Sequence, residues 1–558
     1  MGIDTGVAVN HIRDEYVSFN LDTTFDRGFF SRDLDNPRLV YLAKQLASAS
    51  PAFLRLGGSG GNEMSYGVGN ITCEQQAAAR NFRCPFAGNY TCPSWFLPCL
   101  NRSHWESVNR FVQKSGTQLI WGMNPAASTA DLRDFFEFSK SINVTFAAIE
   151  PSNESGFNQT ALAKLIAVLR ELYPDKASRP RLVGIDMQAN CPNCTRYLRS
   201  FLNATVTMGE RALAGTYHNY RACVLPPTQQ QYYNVSNQMV HALKHSRIPN
   251  AELWAGETAA GCNGGAPQEA TYAGGFWYLE SLGGLALTHQ VCLSLSRARA
   301  RARARCLSPA LILRLCVHQA FLRQSFIGGH YGMVRDSDPC AGWHSHPARS
   351  PCLNEHYASC PVCGGAACER HETCGSADQP GGPKQFFPPG TALQPNGDFW
   401  VALLFKRLVG RKVLKASIAP AANYSAGFSG YSFCSRQQSG GVVLTFVNTG
   451  SLTTVSLNIT TGQREEFHLT AGGRSELPCL PPPHGTCNNK CEGLTSQSIA
   501  LNGVNLTANV ESLGPMPTLS GKKVDASLPM TVAPCSYGFA VLPDAAAPGC
   551  KFDNDRML

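Results

Sequence analysis

Over roughly the first 335 positions, short apolar runs alternate with stretches of helical period. The runs fall at 17–22, 53–57, 118–123, 144–150, 181–187, 214–220, 252–257 and 324–331. Between them the apolar spacing widens, as at Leu162, Leu165, Ile166, Leu169 and Leu172, where one helix face is apolar. Eight strands alternating with helices predict an α/β fold, a (β/α)8 barrel. A doubly wound sheet alternates in the same way, but no Gly-rich dinucleotide fingerprint follows the first run. Beyond about residue 411 the period becomes two, at 442–447, 453–459, 465–469, 498–504 and 537–542, with Gly and Asn turns between. That pattern predicts an antiparallel β-sandwich. The expected organisation is a barrel over residues 16–410 and a sandwich over residues 411–550.

Two segments suit neither domain. Residues 291–319 run through alternating Leu-Ser and then Arg-Ala, as a translated dinucleotide repeat would. Val codons begin GT and Gln can be CAG, matching splice-site ends, so the segment is expected to be a retained intron; a basic docking arm is the alternative. Residues 339–394 form a Cys/Gly/Pro-rich insert, with Cys340, Cys352, Cys360, Cys363, Cys368 and Cys374 near His344, His346 and His371. Cys360-x2-Cys363 has a zinc-ligand spacing, but in an oxidising compartment such cysteines form disulfides, and no metal is expected.

Composition narrows the class. Across 558 residues, 43% are hydrophobic and 16% charged, enough for a large core. No run of 18 apolar residues occurs, so no transmembrane segment is expected. The net charge is +9, but residues 291–319 hold six Arg and no acid, leaving +3 elsewhere (9 − 6). A nucleic-acid binder would spread basic residues along a face, so no nucleic-acid partner is expected. The 23 cysteines and twelve Asn-x-Ser/Thr sequons favour the secretory pathway, and a secreted, lysosomal or vacuolar location is expected. A charged-then-apolar leader is not found at Met1, so one is expected upstream; the alternative is a cytosolic chain with chance sequons.

Two carboxylates then matter. Glu154 follows the fourth run and Glu257 ends the seventh, 103 residues apart (257 − 154), or three βα units. Both are expected at the C-terminal rim, where a facing pair of carboxylates is what glycoside hydrolysis requires. Alone this is a weak sign, since a single Glu is usually a solvated surface residue.

Four strings resemble heparanase and the heparanase-like retaining β-glucuronidases. Gly256-Glu-Thr-Ala-Ala-Gly-Cys-Asn-Gly-Gly-Ala-Pro267 resembles the family's nucleophile segment. Pro51-Ala-Phe-Leu-Arg-Leu-Gly-Gly58 resembles its second barrel strand, and Arg323-Gln-Ser-Phe-Ile-Gly-Gly-His-Tyr331 its eighth. Asp398-Phe-Trp-Val-Ala-Leu-Leu-Phe-Lys-Arg-Leu-Val-Gly410 resembles the helix that follows. The resemblance implies a retaining glycoside hydrolase with Glu257 as nucleophile and Glu154 as acid/base. Glu150, which like the family's acid/base is followed by Pro, is the rival. Asn153 would bind the sugar 2-hydroxyl, and as it is also a sequon, it should stay unglycosylated. His218 and Tyr220 would orient the nucleophile, with a core role as the alternative for either; Asp22 and Ser59 match substrate-binding positions. The resemblance also implies a Cys434–Cys550 disulfide; Cys535 and Cys479 are the competing partners.

The departures bear on specificity. The family's Tyr-Gly-Gly after the nucleophile reads Cys262-Asn263-Gly264, and its Tyr before the helix Trp is Phe399. Those positions hold a uronate carboxylate in the family, so Asn263 and Gly264 are the substrate-binding candidates here. Asp131 and Glu137 stand where a basic heparin-binding cluster would be, which points from heparan sulfate toward a plainer glucuronide-bearing glycan. The expected protein is a monomeric, cofactor-free β-glucuronidase acting on a glycan or proteoglycan, with peripheral attachment to a membrane or cell wall open. The alternatives are an arabinofuranosidase- or glucosidase-type enzyme and an inactive carbohydrate-binding relative.

Overall fold

The computed structural model describes residues 2–23, 29, 33–70, 72–73, 75, 99–188, 191–220, 229–259, 270–287, 318–327, 332–336, 393–417, 427–459, 462–473, 491, 493–494, 496–525 and 527–552. Asn263, Gly264, Cys262, residues 291–317 and nearly all of residues 339–394 lie outside them.

Strand β1 (Gly2–His11) comes first, followed by eight parallel strands that close into a barrel. These are β2 (Val17–Asp22), β3 (Phe53–Gly57), β4 (Gln118–Gly122), β5 (Phe146–Glu150), β6 (Arg181–Gln188), β7 (Ala214–Tyr220), β8 (Glu252–Ala259) and β9 (His318–Arg323). The helices between them include α1 (Pro37–Ala49), α2 (Arg102–Ser115), α3 (Thr129–Ser141), α4 (Gln159–Leu172), α5 (Cys194–Thr207), α6 (Gln229–Lys244) and α7 (Tyr272–Leu287). Alternate side chains point inward: Phe53, Ile120, Ala148, Val183, Trp254 and Leu322 form one buried cluster, with Phe53 and Trp254 stacked 5.0 Å apart. The opposite faces pack on the helices. Asp131 caps α3 in a capping box with Ser128, which explains its acidity there without a ligand.

After α8 (Gly397–Leu408), the chain makes an antiparallel sheet of β10 (Val409–Ser417), β11 (Phe428–Ser435), β12 (Val442–Asn448), β13 (Gln463–Ala471), β14 (Ile499–Leu501), β15 (Val504–Asn505), β16 (Lys522–Asp525) and β17 (Ser536–Leu542). One face, with Phe433, Val443, Tyr537 and Phe539, joins the barrel's core through α7 and α8. On the other, Leu444 and Phe446 are covered by Leu457, Met530 and Val532 of a two-stranded ribbon. Buried from Tyr272 to Ala286, α7 is apolar nearly all round because it lies between barrel and sheet. Gly275 and Gly283 let it approach: a Cβ there would lie 2.1 Å from Tyr537 Oη and Tyr431 Cδ2. The helix's buried Glu280 accepts from the Ser429 and Tyr431 hydroxyls.

Two elements differ from expectation. The eighth strand was expected at 324–331 but is His318–Arg323, paired with Val17–Phe19 on one side and Leu253–Thr258 on the other. Apolar Phe321 and Leu322 carry the pairing, and polar Gln324 and Ser325 fall just past it, at the rim. The strand therefore starts two residues inside the segment 291–319. Strand β1 lay outside both expected domains, yet it pairs antiparallel with β10 and lengthens the sheet. Its polar, Gly-containing sequence carries no strand signal of its own, and pairing supplies its order.

Among the described residues, four disulfides form: Cys73–Cys99, Cys191–Cys194, Cys434–Cys550 and Cys491–Cys535. Cys434 ends β11, and Cys550 closes a short turn after β17, with their Cα atoms 5.1 Å apart. The bridge closes a span of 116 residues. The Cys434→Ala/Cys550→Ala variant is expected to lose about 2–5 kcal/mol of stability by urea unfolding.

At the base of the barrel, the Lys406 ammonium is buried and donates to the carbonyls of Val17 and Pro51, both at 2.9 Å. Burial, with Arg436 nearby, pushes its pKa down to about 7, against the pull of Glu15 and Asp14. A depressed lysine favours folding least at low pH: full stability is present above the ordinary pKa and is lost as pH falls through about 7. Lys406→Met should therefore help most near pH 6, exceeding its effect at pH 9 by on the order of 2–3 kcal/mol in urea unfolding. An equal effect at both pH values would contradict this.

Candidate active site

The C-terminal ends of the barrel strands converge on Arg55, from β3. Its side chain is fully buried, and its guanidinium spreads over four neighbours. Nε donates to Glu150 Oε2 (2.7 Å), Nη1 to Glu257 Oε2 (2.8 Å), and Nη2 to Asn153 Oδ1 (2.8 Å) and Asp186 Oδ2 (3.0 Å). The planar fork of arginine suits such a set, and the acids it gathers end β5, β6 and β8.

His218, on β7, touches three acids. Nδ1 lies 2.8 Å from Glu154 Oε1, and Nε2 lies 3.2 Å from Asp186 Oδ1 and 3.7 Å from Glu257 Oε2. One imidazole thus joins the two carboxylates singled out from the sequence. Tyr220, two residues on and on the same face, donates its hydroxyl to Glu257 Oε1. Asn153 is held by Asn62, whose Oδ1 accepts from its backbone N–H at 2.9 Å and whose amide donates to its carbonyl. Asp22, at the end of β2, accepts from Gln324 Nε2 at 2.8 Å. Ser59 is exposed at the start of a short 3-10 turn after β3.

Residues 19–283 match the N-terminal domain of glycosyl hydrolase family 79. Heparanase-like protein 3 of Arabidopsis thaliana is 22% identical over 559 residues, covering 93% of this chain and 86% of that protein. Baicalin-β-D-glucuronidase of Scutellaria baicalensis is 20% identical over 563 residues, covering 92% of this chain and 84% of that protein. These likenesses support the heparanase-like glycoside hydrolase family. Its fold is also that of a solved structure, a 4-O-α-L-rhamnosyl-β-D-glucuronidase from Fusarium oxysporum. The TM-score is 0.52 at 13% identity, over 96% of this chain and 97% of the other.

In this glycoside hydrolase, exposure separates the two candidate acids. The Glu150 side chain is 1% exposed and faces Arg55, whereas that of Glu154 is 25% exposed. Burial, with Asp186 close by, pushes the Glu150 carboxyl well above the ordinary range despite Arg55. For Glu154 burial also pushes upward, but the His218 hydrogen bond and charge, with Gln188 and Arg55 behind them, outweigh it and hold the group below its ordinary value. The imidazole pairs directly with this carboxyl and holds the shared proton on the ring. Burial pushes His218 down, but Glu257, Asp186 and Glu154 around it raise it to about 10. Asp186 is pushed up by burial and pulled further down by Arg55 and His218, ending below the usual carboxylate range.

Phe399 is fully buried and packs edge-on against Trp400, with centroids 5.6 Å apart. Three members of the cluster were not picked out from sequence as site residues: Arg55, Asp186 and the glycine before Glu257. A Cβ on Gly256 would lie 2.2 Å from Asp186 Oδ1, so glycine is required for the carboxylate to sit there. The available signal was an arginine within a barrel strand, two residues before a Gly-Gly pair; Asp186 had none beyond its place near the end of β6.

Proposed function

We propose that the protein is a retaining β-glucuronidase acting on a glycan, with Glu257 as nucleophile and Glu154 as acid/base. The observation that carries this is the single imidazole of His218 between two carboxylates from the fourth and seventh barrel strands, one of them solvent-accessible. Glu257, held by Arg55 and Tyr220, attacks the anomeric carbon while Glu154 protonates the leaving oxygen; Glu154 then activates water to release the sugar. Asn153, with Oδ1 fixed by Arg55, is the residue for the sugar 2-hydroxyl; Asp22 and Ser59 are assigned to substrate binding by the family resemblance alone. The glucuronidase named among the relatives supports a uronide substrate. The disulfides and sequons support a secretory-pathway protein.

The buried Phe399 favours one competing reading, a retaining glycosidase selective for a neutral sugar, because no phenol stands at that position to meet a carboxylate. A panel of aryl β-glucuronide, β-glucoside, β-xyloside and α-arabinofuranoside, with product anomers followed by NMR, decides between them. Turnover of the glucuronide with the β-anomer released first is expected. Preference for a neutral glycoside would overturn the specificity, and release of the α-anomer would overturn retention.

A further inference from the structure

We propose that Asp186 is a positioning residue for proton delivery, holding His218 so that Nδ1 faces the Glu154 carboxyl; this rests on the assignment of Glu154 as acid/base. Asp186 is wholly buried, so it acts through its neighbours rather than on a sugar. Its Oδ1 is 3.2 Å from His218 Nε2, an ion pair rather than an aligned hydrogen bond, and its Oδ2 accepts from Arg55 at 3.0 Å. Its carbonyl accepts from the Glu154 backbone N–H at 2.9 Å, so one residue holds both the ring and the backbone of its partner acid.

The arrangement is locked on several sides. The Asp186 N–H donates to Thr216 Oγ1 at 3.0 Å. Both Asp186 (φ 53°) and Glu154 (φ 49°) adopt the left-handed backbone conformation that non-glycine residues seldom take. Gly256 leaves the space that the Asp186 carboxylate occupies. The charged and titratable groups facing His218 are Glu154 after β5, Asp186 from β6 and Glu257 from β8, with Arg55 from β3 and Glu150 from β5 behind Asp186.

An imidazole has two distinct nitrogens, and the partner of one decides what the other does. With Nε2–H directed at Asp186, Nδ1 shares a single proton with Glu154 Oε1. In the first step that proton passes from His218 Nδ1 through Glu154 to the glycosidic oxygen. The C–O bond breaks with its electron pair going to that oxygen, and Glu257 bonds to the anomeric carbon. In the second step Glu154 takes a proton from water, the water oxygen bonds to that carbon, and the ester electron pair returns to Glu257. Asp186 gains and loses nothing; it keeps the shared proton on the Glu154 side of the ring.

The test compares Asp186→Asn with the native enzyme on two aryl glycosides of the sugar it hydrolyses. One has a phenyl leaving group, which needs protonation, and the other a 2,4-dinitrophenyl group, which does not. kcat/KM for the phenyl glycoside should fall by about 100-fold, and for the dinitrophenyl glycoside by no more than about threefold. The basic limb of the kcat/KM profile should move to lower pH, because the pair loses a neighbouring negative charge. An equal loss for both leaving groups with an unmoved profile, or no loss at all, would overturn the proposal. Glu154→Gln is run beside it. If that variant shows no leaving-group dependence, the acid/base assignment itself has failed; if it does and Asp186→Asn does not, only the role of Asp186 has. Should Asp186→Asn not fold, 15N-histidine NMR of the native protein decides: Nε2 of His218 must carry a proton across neutral pH, and an unprotonated Nε2 rules the proposal out.

Discussion

Glu257→Ala is expected to lower turnover by about 10⁴-fold or more, as the loss of a covalent nucleophile does, with the protein still folded. The fold survives because Arg55 keeps Glu150, Asp186 and Asn153 as partners when Glu257 is removed. The variant should also be rescued by azide, which attacks from the vacated face and gives an α-glycosyl azide. Native-like circular dichroism with residual activity above about 1% would remove Glu257 from the nucleophile's role.

Arg55→Met is expected to have the largest effect on stability, a loss of about 3–5 kcal/mol at pH 7. The guanidinium is fully buried among Glu150, Asp186 and Glu257, and without it these acids lose the cation that offsets their burial. The pH dependence has a definite sign. Arg55 helps hold Asp186 below its ordinary pKa, so the stability it supplies is present above the unfolded value and is lost as pH falls through the folded one. The deficit of the variant should therefore shrink on acidification, because protonation relieves the unpaired acids. Urea midpoints at pH 7 and pH 4.5 measure this, and a deficit that grows toward acid would contradict it. Arg55→Lys should recover only part of the loss, since one ammonium cannot reach the four oxygens that the fork spans.

The two hydrophobic periods were enough for the barrel and the sheet. Seven of the eight barrel strands overlap the apolar runs because a strand between a filled barrel and a helix layer must be apolar on both faces. The exception, His318–Arg323, is short and begins within a segment whose composition pointed elsewhere; its place is set by pairing with Val17–Phe19 and Leu253–Thr258. Strand β1 is similar, since polar residues order there only against β10. Cys491–Cys535 was likewise beyond reach, because spacing constrains no connectivity when many cysteines are present.

Glu154 and Glu257 stood out in the sequence because each follows or ends an apolar run, which places it at the rim, and because the strings around them carry a family resemblance. Their surroundings stood out only in part. Of Arg55, Asp186 and His218, on β3, β6 and β7, only His218 was marked by the resemblance, and nothing local in the chain says that one guanidinium and one imidazole will serve all the acids. Closure of the barrel brings these strand ends within hydrogen-bond range and removes water from between them. The charge on each group is then set by its neighbours rather than by its own chemistry. For that reason the identities of the two rim carboxylates could be read from sequence, while the proton's position, on His218 rather than on Glu154, was decided only by the tertiary structure.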